Sequence, residues 1–211
     1  MDSLADELAA ARDLDVDELA AAIRSVGFEC TRCGACCTAD DGQAHTATVF
    51  PDEIRTLQAV TGRQWPAVAR PMPFGLDDDG RGETFEWALQ VDESGDCTFY
   101  EEDAETGRCT VHDSRPFICR TYPFSLDMGE TVDAPGPVVE RVGDLSVHEC
   151  PGIGRDITES AARELAKTLK RRTIVELEEA IDVCDSYEPV AAESTVVHDS
   201  EGAKRADGTP L

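Results

Sequence analysis

The chain has 211 residues, of which 44 are Asp or Glu and 19 are Lys or Arg, with a formal net charge of −25 and nine cysteines. This length is enough for one modest domain plus tails. The composition offers no basic patch for phosphate groups and no window near the ~20 consecutive apolar residues of a membrane span, so neither nucleic acid nor a membrane is an expected partner.

The acidic residues are spread along the chain in many short runs rather than in one long block. Self-repulsion among so many carboxylates would destabilise a compact state unless salt screens it. A high-salt, halophilic cytoplasm explains both this acidity and the presence of only three lysines. The alternative is an acidic chain that mimics nucleic acid or binds basic partners, and the scattered pattern favours it less.

The chain begins with an acidic segment in which apolar residues recur at helical spacing from Leu4 to Val26. This pattern predicts one amphipathic helix over residues 2–26. The segment has no basic start, no continuous apolar stretch and no cleavage-site signature, so no secretory signal is expected. The expected location is the cytoplasm, where closely spaced cysteines stay reduced and are typical of metal or redox sites.

Four cysteines then follow within one short run, at Cys30, Cys33, Cys36 and Cys37. Thiols at C-x-x-C spacing in a tight loop can turn toward one point, so the run can supply two or three thiolates to a metal ion or cluster. Cys36 and Cys37 are adjacent, and neighbouring side chains of extended backbone point in opposite directions. These two therefore suit two metal centres, or a bridge between them. A thioredoxin-like redox pair or a disulfide framework explains the run less well, because the setting is reducing and two cysteines would have no role in such a pair.

Short elements are predicted in the middle of the chain. Pro51–Thr61 starts with Pro-Asp-Glu and is followed by Gly62, which is the signature of a short helix. Apolar residues alternate from Phe85 to Val91 and predict a strand. The stretch from Cys97 to His112 has a turn-rich centre and resembles a hairpin with one cysteine in each arm.

The segment 115–124 surrounds Cys119 with arginines, prolines and large apolar side chains. Eight thiolates and two divalent ions would together leave a charge of about −4. Arg115 and Arg120 are predicted to offset that charge, while the apolar side chains shield the site from water. The alternative is a hydrophobic loop with two surface arginines.

Two histidines lie beside cysteines in the sequence. His112 completes a C-x-x-H pattern, and His148 precedes Cys150 by two positions. Either could replace a thiolate in a zinc site of three cysteines and one histidine. The alternative is that both donate outer hydrogen bonds or face solvent. His45 and His198 are weaker candidates.

Asp156 and Glu159 resemble a capping box and open a second long helical pattern, which predicts a helix over residues 155–187. Cys184 falls on the apolar face of this helix, where a small thiol fits, so it is predicted to be buried core rather than a ligand. After Tyr187 the pattern ends, and residues 188–211 are predicted to form a disordered acidic tail that contains His198.

The segments FECTRCGACC, CTFY, GRCTVHDSRPFICRTYPF and CPGIG together resemble the CxxCxxCC, or YkgJ-type, cysteine-cluster family, which is described as zinc- or iron-chelating. The resemblance spans about residues 28–154 and leaves Cys184 outside the pattern. A related domain also occurs in flagellin lysine methylases, so the family is a weak guide to activity. The resemblance implies eight metal-binding cysteines: Cys30, Cys33, Cys36, Cys37, Cys97, Cys109, Cys119 and Cys150.

These elements predict a small α+β fold, in which short strands and a hairpin surround an irregular core organised by metal, with helices at both ends. The predicted parts are an N-terminal helix (1–27), a cysteine-cluster domain (28–154), a C-terminal helix (155–187) and the tail (188–211). The eight cysteines are expected to converge in space, because a shared centre needs their sulfurs close together.

The expected function is metal binding, with iron–sulfur or zinc centres held by about eight cysteine thiolates in a structural or electron-transfer role. The alternative is a cluster-dependent enzyme, either an oxidoreductase or a relative of protein-modifying methylases. No Ser-His-Asp arrangement, phosphate loop or SAM-binding motif is legible, which favours binding over catalysis. The spacing leaves zinc and iron both open, since C-x-x-C-x-x-C is ferredoxin-like and paired C-x-x-C with nearby histidines also suits zinc.

Overall fold

A computed structural model describes residues 3–39, 43–102, 107–128, 137–190 and 194–211. Within these ranges the fold is mixed α+β, as predicted, with helices near both ends and eleven short strands. The helices are α1 (Leu4–Asp13), α2 (Val16–Val26), α3 (Pro51–Thr61), α4 (Phe117–Thr121) and α5 (Glu159–Ser186). The strands are β1 (Thr48–Val49), β2 (Ala69–Pro71), β3 (Gly82–Thr84), β4 (Trp87–Leu89), β5 (Tyr100–Glu102), β6 (Gly107–Cys109), β7 (Phe124–Leu126), β8 (Val138–Val142), β9 (Leu145–His148), β10 (Thr195–Asp199) and β11 (Gly202–Arg205).

The chain divides into two compact units, and each unit is built from two separate segments. Unit 1 comprises Met1–Cys36 and Phe117–Glu178, and unit 2 comprises Cys37–Pro116 and Glu179–Leu211. The boundary between the first two segments falls between the adjacent residues Cys36 and Cys37. The predicted boundaries at residues 27, 154 and 187 stay a prediction.

The N-terminal segment forms two helices, so the prediction of one helix over residues 2–26 is wrong. Helix α1 ends at Asp13, and Asp15 caps the start of α2 from an extended backbone conformation. The Asp15 carboxylate accepts hydrogen bonds from the backbone N–H groups of Asp17, at 2.7 Å, and Glu18, at 3.1 Å. This local cap satisfies backbone donors that a continuous helix would have bonded to the preceding turn, and it breaks the helix there.

The core of unit 1 lies between two helices and a sheet. The antiparallel sheet has the order β7-β9-β8. Helix α5 begins after Thr158, whose hydroxyl accepts a hydrogen bond from Ala161 N–H at 3.2 Å, so Thr158 rather than the predicted Asp156 provides the cap. Residues of α2, the sheet and α5 share one buried cluster: Leu19, Ala20, Ile23, Phe124, Leu126, Leu145, Val147, Ala162, Ala166 and Leu169.

Cys184 is exposed, so the prediction that it is buried is wrong. The helix itself is present as expected, and its apolar face is buried as far as Leu177. Ile181 on the next turn is only partly covered, and the turn with Cys184 lies beyond the packed part of the face. Helical spacing predicts which side of α5 is apolar, but it does not determine how far along the helix other elements cover it.

Unit 2 contains α3 and two three-stranded sheets, with orders β1-β4-β2 and β11-β10-β3. Helix α3 has the predicted bounds, Pro51–Thr61, and Gly62 closes it at a φ of 70° in the left-handed region that glycine favours. The strand predicted from Phe85 to Val91 is present in its centre as β4. All three residues of β4 are buried, so both of its faces are covered instead of one.

The C-terminal region also belongs to unit 2, and the prediction of disorder is wrong for residues 194–211. Strand β10 pairs in parallel with β3 and antiparallel with β11. Val196 and Val197 are buried, and the Asp199 carboxylate accepts hydrogen bonds from Trp87 Nε1 at 2.8 Å and Lys204 Nζ at 2.7 Å. The polar composition suggests disorder, but these polar groups are paired with one another inside the fold.

The predicted hairpin between Cys97 and His112 is formed by β5 and β6, while residues 103–106 lie outside the described residues. Cys109 ends β6, whereas Cys97 precedes β5 and forms an isolated bridge with Val91. Only one of the two cysteines is therefore in a hairpin arm. In the part of the chain that the structure describes, no helix combines the length and the apolar character needed to cross a membrane.

Candidate metal centre

Two backbone segments of unit 1 run side by side next to their cysteines. The Glu29 N–H donates to the Gly152 carbonyl at 3.1 Å, and the Gly154 N–H donates to the Gly27 carbonyl at 3.0 Å. Phe28 and Ile153 form the antiparallel bridge between them. This pairing brings Cys30, the residue after Glu29, into the neighbourhood of Cys150, although more than a hundred residues separate the two in sequence.

Gly152 permits this close approach because it has no Cβ. A Cβ at Gly152 would overlap the backbone carbonyl oxygen of Glu29, and that oxygen cannot move without shifting the chain. The Gly152 N–H also donates to the sulfur of Cys150, at 3.4 Å. Gly152 is not among the residues predicted from the sequence. Its position in the sequence could have indicated this role: Gly152 comes two residues after the candidate ligand Cys150, where a backbone N–H can donate to the cysteine sulfur.

The loop that carries the first three cysteines is curled by two residues in the left-handed region. Arg32 has a φ of 56° and Gly34 a φ of 80°. Gly34 is buried inside the loop, whereas the thiols of Cys30, Cys33 and Cys36 are exposed. The backbone therefore folds inward and leaves these three side chains accessible on its outside.

Electrostatics link these three thiols to Cys150. Burial raises the pKa of the Cys150 thiol, the Gly152 N–H opposes that rise, and the negative charge of Cys33, Cys36 and Cys30 raises it further. A thiolate raises the pKa of a neighbouring thiol only when the two lie close together, and a metal cation relieves the repulsion between them. We refer to Cys30, Cys33, Cys36 and Cys150 as the four-thiol group.

The donor set of the four-thiol group fits a zinc or iron centre, because thiolate sulfur is the ligand that both metals use in closed four-coordinate sites. Thr31 adds a buried hydroxyl oxygen in the same loop that has no hydrogen-bond partner within the described ranges. No three His, Cys, Asp or Glu side chains among the described residues form a group that could hold a metal ion as they stand. The backbone pairing brings the four thiols into one neighbourhood, but their sulfurs do not yet point toward one position. Metal binding would require these side chains to rotate toward a common point.

Tyr122 lies beside the four-thiol group. Burial, together with the charge of Cys150, Cys36, Glu149 and Cys33, raises the pKa of Tyr122 to about 12, so the phenol keeps its proton. Its hydroxyl donates to the backbone carbonyl of Glu149 at 2.5 Å. Its ring stacks on the imidazole of His148, with ring centroids 6.3 Å apart and an interplanar angle of 22°.

The four histidines occupy different surroundings. His148 is buried, and its Nε2 lies 2.8 Å from the hydroxyl of Ser125. His112 is partly exposed, with Nδ1 3.4 Å from the carboxylate of its neighbour Asp113. Burial lowers the pKa of His45 to about 4 and keeps it neutral. His198, which the sequence placed in a disordered tail, is buried with Nε2 3.2 Å from Glu83.

Cys119 is partly buried in the middle of α4, in unit 1. Arg120 directs its guanidinium carbon toward the Phe117 ring, 5.7 Å from the ring centroid. Arg115 belongs to unit 2, where its Nε donates to the His112 carbonyl at 3.0 Å. The role of the two arginines in offsetting thiolate charge stays a prediction.

Unit 2 fixes its own cysteines through backbone hydrogen bonds. The Cys97 N–H donates to the Cys37 carbonyl at 2.8 Å, and the Asp96 carboxylate accepts from Ala39 N–H at 2.7 Å, so the two segments are held together at two points. Cys109 pairs with Tyr100 across the hairpin. It also lines a cavity of about 440 Å³ whose wall includes His112 and Asp113. All nine cysteines lie in the described ranges, and none of them forms a disulfide bond.

Comparison with protein families gives one finding. A family model, "CxxCxxCC: Putative zinc- or iron-chelating domain", matches residues 29–151, which is more than half of the chain. The matched range includes the eight cysteines from Cys30 to Cys150 and excludes Cys184. Comparison with curated proteins and with solved structures finds no match.

Proposed function

Because the chain belongs to the CxxCxxCC family of zinc- or iron-chelating domains, we propose that its cysteine thiolates hold at least one zinc or iron centre in unit 1. The ligands of this centre are the four-thiol group. The single observation that carries the proposal is the backbone pairing of Phe28 with Ile153, in which the Glu29 N–H donates to the Gly152 carbonyl at 3.1 Å, because it brings the loop of Cys30, Cys33 and Cys36 alongside Cys150.

The complete proposed ligand set is the eight cysteines of the family pattern. Beyond the four-thiol group it comprises Cys37, Cys97, Cys109 and Cys119. The backbone hydrogen bond between Cys97 and Cys37 supports a shared role for these two. Cys36 belongs to unit 1 and Cys37 to unit 2. This assignment supports the proposal that the two adjacent cysteines bind different metal centres.

We propose a structural or electron-transfer role for the centre. A closed four-thiolate zinc site leaves no coordination position for a substrate and stabilises the fold, whereas an iron–sulfur centre of the same ligands carries electrons. The cavity beside Cys109 and His112 supports the alternative of a cluster-dependent enzyme, an oxidoreductase or a relative of methylases, because it offers space for a substrate near a proposed ligand.

The proposed thiolate ligands support a cytoplasmic location, because cysteines bind metal only while they are not oxidised to disulfides and the cytoplasm keeps thiols reduced. The acidity of the whole chain supports a halophilic, high-salt setting. The same acidity speaks against nucleic acid or an anionic membrane surface as a partner.

The experiment is anaerobic purification at high salt, followed by elemental analysis and a visible absorption spectrum. Bound zinc gives a colourless protein, whereas an iron–sulfur centre gives visible sulfur-to-iron absorption. Cys33→Ser and Cys150→Ser should each lose metal, and Cys184→Ser is the matched control because Cys184 is exposed and lies outside the family pattern. A wild-type protein without zinc or iron would refute the proposal, as would equal metal loss in all three variants.

A further inference from the structure

Cys150 differs from the other members of the four-thiol group in how it reaches the site. Cys30, Cys33 and Cys36 share one short loop, whereas Cys150 follows strand β9 in a separate segment. A metal held by three ligands from one loop and one ligand from another segment opens at the single ligand first, because the other three keep one another in place. The contacts that hold Cys150 therefore decide how easily the centre opens.

Cys150 is held on both sides along its own backbone. On one side, the phenol of Tyr122 donates to the carbonyl of Glu149 at 2.5 Å, so it fixes the peptide group that leads into Cys150. On the other side, Gly152 N–H donates to the Cys150 sulfur at 3.4 Å, and Ile153 N–H donates to the Cys150 carbonyl at 3.2 Å. Of these three donors, the Tyr122 hydroxyl is the one that belongs to a side chain.

Tyr122 is itself held in position by its neighbours in unit 1. Its N–H donates to the Ile118 carbonyl at 3.0 Å, at the end of α4. Its ring stacks on His148, which is buried and whose Nε2 is 2.8 Å from Ser125. The His148 N–H donates to the Pro123 carbonyl at 2.8 Å. The phenol oxygen is therefore presented to Glu149 from a fixed ring.

We propose that Tyr122 is a positioning residue that keeps Cys150 on the metal and thereby sets the rate at which the centre releases it. This inference rests on the proposed function. When the bond between the metal and Cys150 breaks, the sulfur keeps both bonding electrons and takes a proton from water, and a donor atom of the incoming chelator fills the vacated position. The Tyr122 hydrogen bond opposes this step because it holds the peptide of Glu149 and Cys150 in place, so a released sulfur stays near the metal and can bind again before a chelator takes the vacated position.

The test measures transfer of zinc from the zinc-loaded full-length protein to a chromophoric chelator at fixed high salt. Tyr122→Phe removes the hydroxyl and keeps the ring, and loss of one hydrogen bond should accelerate release about five- to tenfold. Tyr187→Phe is the matched control, because its hydroxyl donates to Glu83 at 3.0 Å in unit 2, so its rate should equal that of wild type. Zinc stoichiometry should be unchanged in both variants, and each metal-free variant should melt within about 2–4 °C of the metal-free wild type, because each loses one hydrogen bond.

Ser125→Ala gives a second measurement that leaves Tyr122 intact. Removing the Ser125 hydroxyl takes one hydrogen bond from His148, on which the Tyr122 ring stacks. Because the Tyr122 hydroxyl stays in place, zinc release should accelerate less than in Tyr122→Phe. A wild-type rate in Tyr122→Phe would overturn the inference, and so would equal acceleration in Tyr187→Phe. A wild-type protein that binds no zinc and no iron refutes the proposed function instead, so the two failures are distinct.

Discussion

At the scale of single residues, the candidate centre depends on close approaches that only particular side chains allow. Gly152 lies against the Glu29 carbonyl, and its N–H faces the Cys150 sulfur. Tyr122 holds the neighbouring carbonyl of Glu149. Each of these residues acts on the position of Cys150 rather than on a metal, so substitutions there should affect metal binding without removing a ligand.

Gly152→Ala should weaken zinc binding. The added methyl group overlaps the Glu29 carbonyl, and the backbone shift that relieves it, which costs about 1–3 kcal/mol, moves Cys150. We expect about a tenfold or larger loss of zinc affinity, measured by competition with a chelator. Gly154→Ala is the control: its methyl group would meet nothing within 4 Å, although its φ of +77° strains the backbone. Equal affinities in the two variants would contradict this account of Gly152.

The metal-free protein should lose stability at alkaline pH through Cys150. The pKa of this thiol is raised in the folded state above its ordinary value of 9.0, first by burial and then by neighbouring thiolates. Folding therefore favours the protonated thiol, and that contribution is complete below the unfolded pKa and disappears as the pH rises through the folded pKa. Metal binding has the opposite dependence, because the metal replaces the proton and affinity rises with pH.

The measurement is denaturant unfolding of the reduced, metal-free protein from about pH 8 to about pH 10. Wild type should lose stability over this range, and Cys150→Ser should lose less because serine does not titrate there. Cys184→Ser provides the comparison for an exposed thiol. If the free energy of unfolding of Cys150→Ser falls with pH as steeply as that of wild type, groups other than Cys150 cause the loss of stability at alkaline pH.

At the scale of elements, α5 ties the helix that carries Cys119 into unit 1. Arg172 is a buried arginine on α5 whose NH1 group donates to the Thr121 hydroxyl of α4 at 3.0 Å and whose Nε donates to Glu176 at 2.6 Å. Burial raises the pKa of Glu176, and the Arg172 charge opposes that rise. The buried Arg172 and the partly buried Glu176 therefore stabilise each other as an ion pair.

Arg172→Met should destabilise the protein by about 1–3 kcal/mol, because it leaves the partly buried Glu176 carboxylate and the Thr121 hydroxyl without their partner. The double variant with Glu176→Leu should recover most of that loss, since no unpaired charge then remains. Arg171→Met is the matched control on the same helix: its side chain is 58% exposed and 3.8 Å from Glu178, so its effect should stay within about 1 kcal/mol. Urea unfolding of the four proteins gives the comparison, and equal effects of the two single variants would contradict it.

At the scale of the whole molecule, both ends of the chain contribute to compact units. The C-terminal strands belong to unit 2 together with residues 37–116, although the sequence resembles a disordered tail. Both tryptophans of the chain, Trp65 and Trp87, also lie in unit 2, so tryptophan emission reports on that unit. Trp87 donates from Nε1 to Asp199 in the C-terminal strands, which makes the emission sensitive to their loss.

Removal of residues 188–211 should therefore destabilise unit 2. Loss of β10 and β11 exposes the buried indole of Trp87 and removes the buried side chains of Val196 and Val197. We expect red-shifted tryptophan emission and a lower, less cooperative melting transition than in the full chain. In the full chain, Val197→Ala should lower the melting temperature and Val139→Ala, whose side chain is 55% exposed, should not. A truncated protein with wild-type emission and melting would contradict this role of β10 and β11.

The sequence by itself determined the features that local chemistry specifies. Proline at the start and glycine after the end specify α3, and the mixed α+β class follows from local patterns of this kind. The cysteine spacing together with the block around Cys119 was enough to identify the family, because thiolate spacing within a loop is itself the chemical requirement of the site. The proposed ligand set therefore follows from the family pattern that the order of residues already contains.

The tertiary structure decided which of these residues are neighbours and which are covered. Cys150 joins the loop of Cys30 only through backbone hydrogen bonds between distant segments, and no pattern within either segment encodes that pairing. Cys184 lies on a helical face that the described residues leave exposed, whereas Asp199 and Lys204 are buried because each neutralises the other. Burial depends on what the rest of the chain places against a residue, and a carboxylate or an amine enters the interior only where its partner is already there.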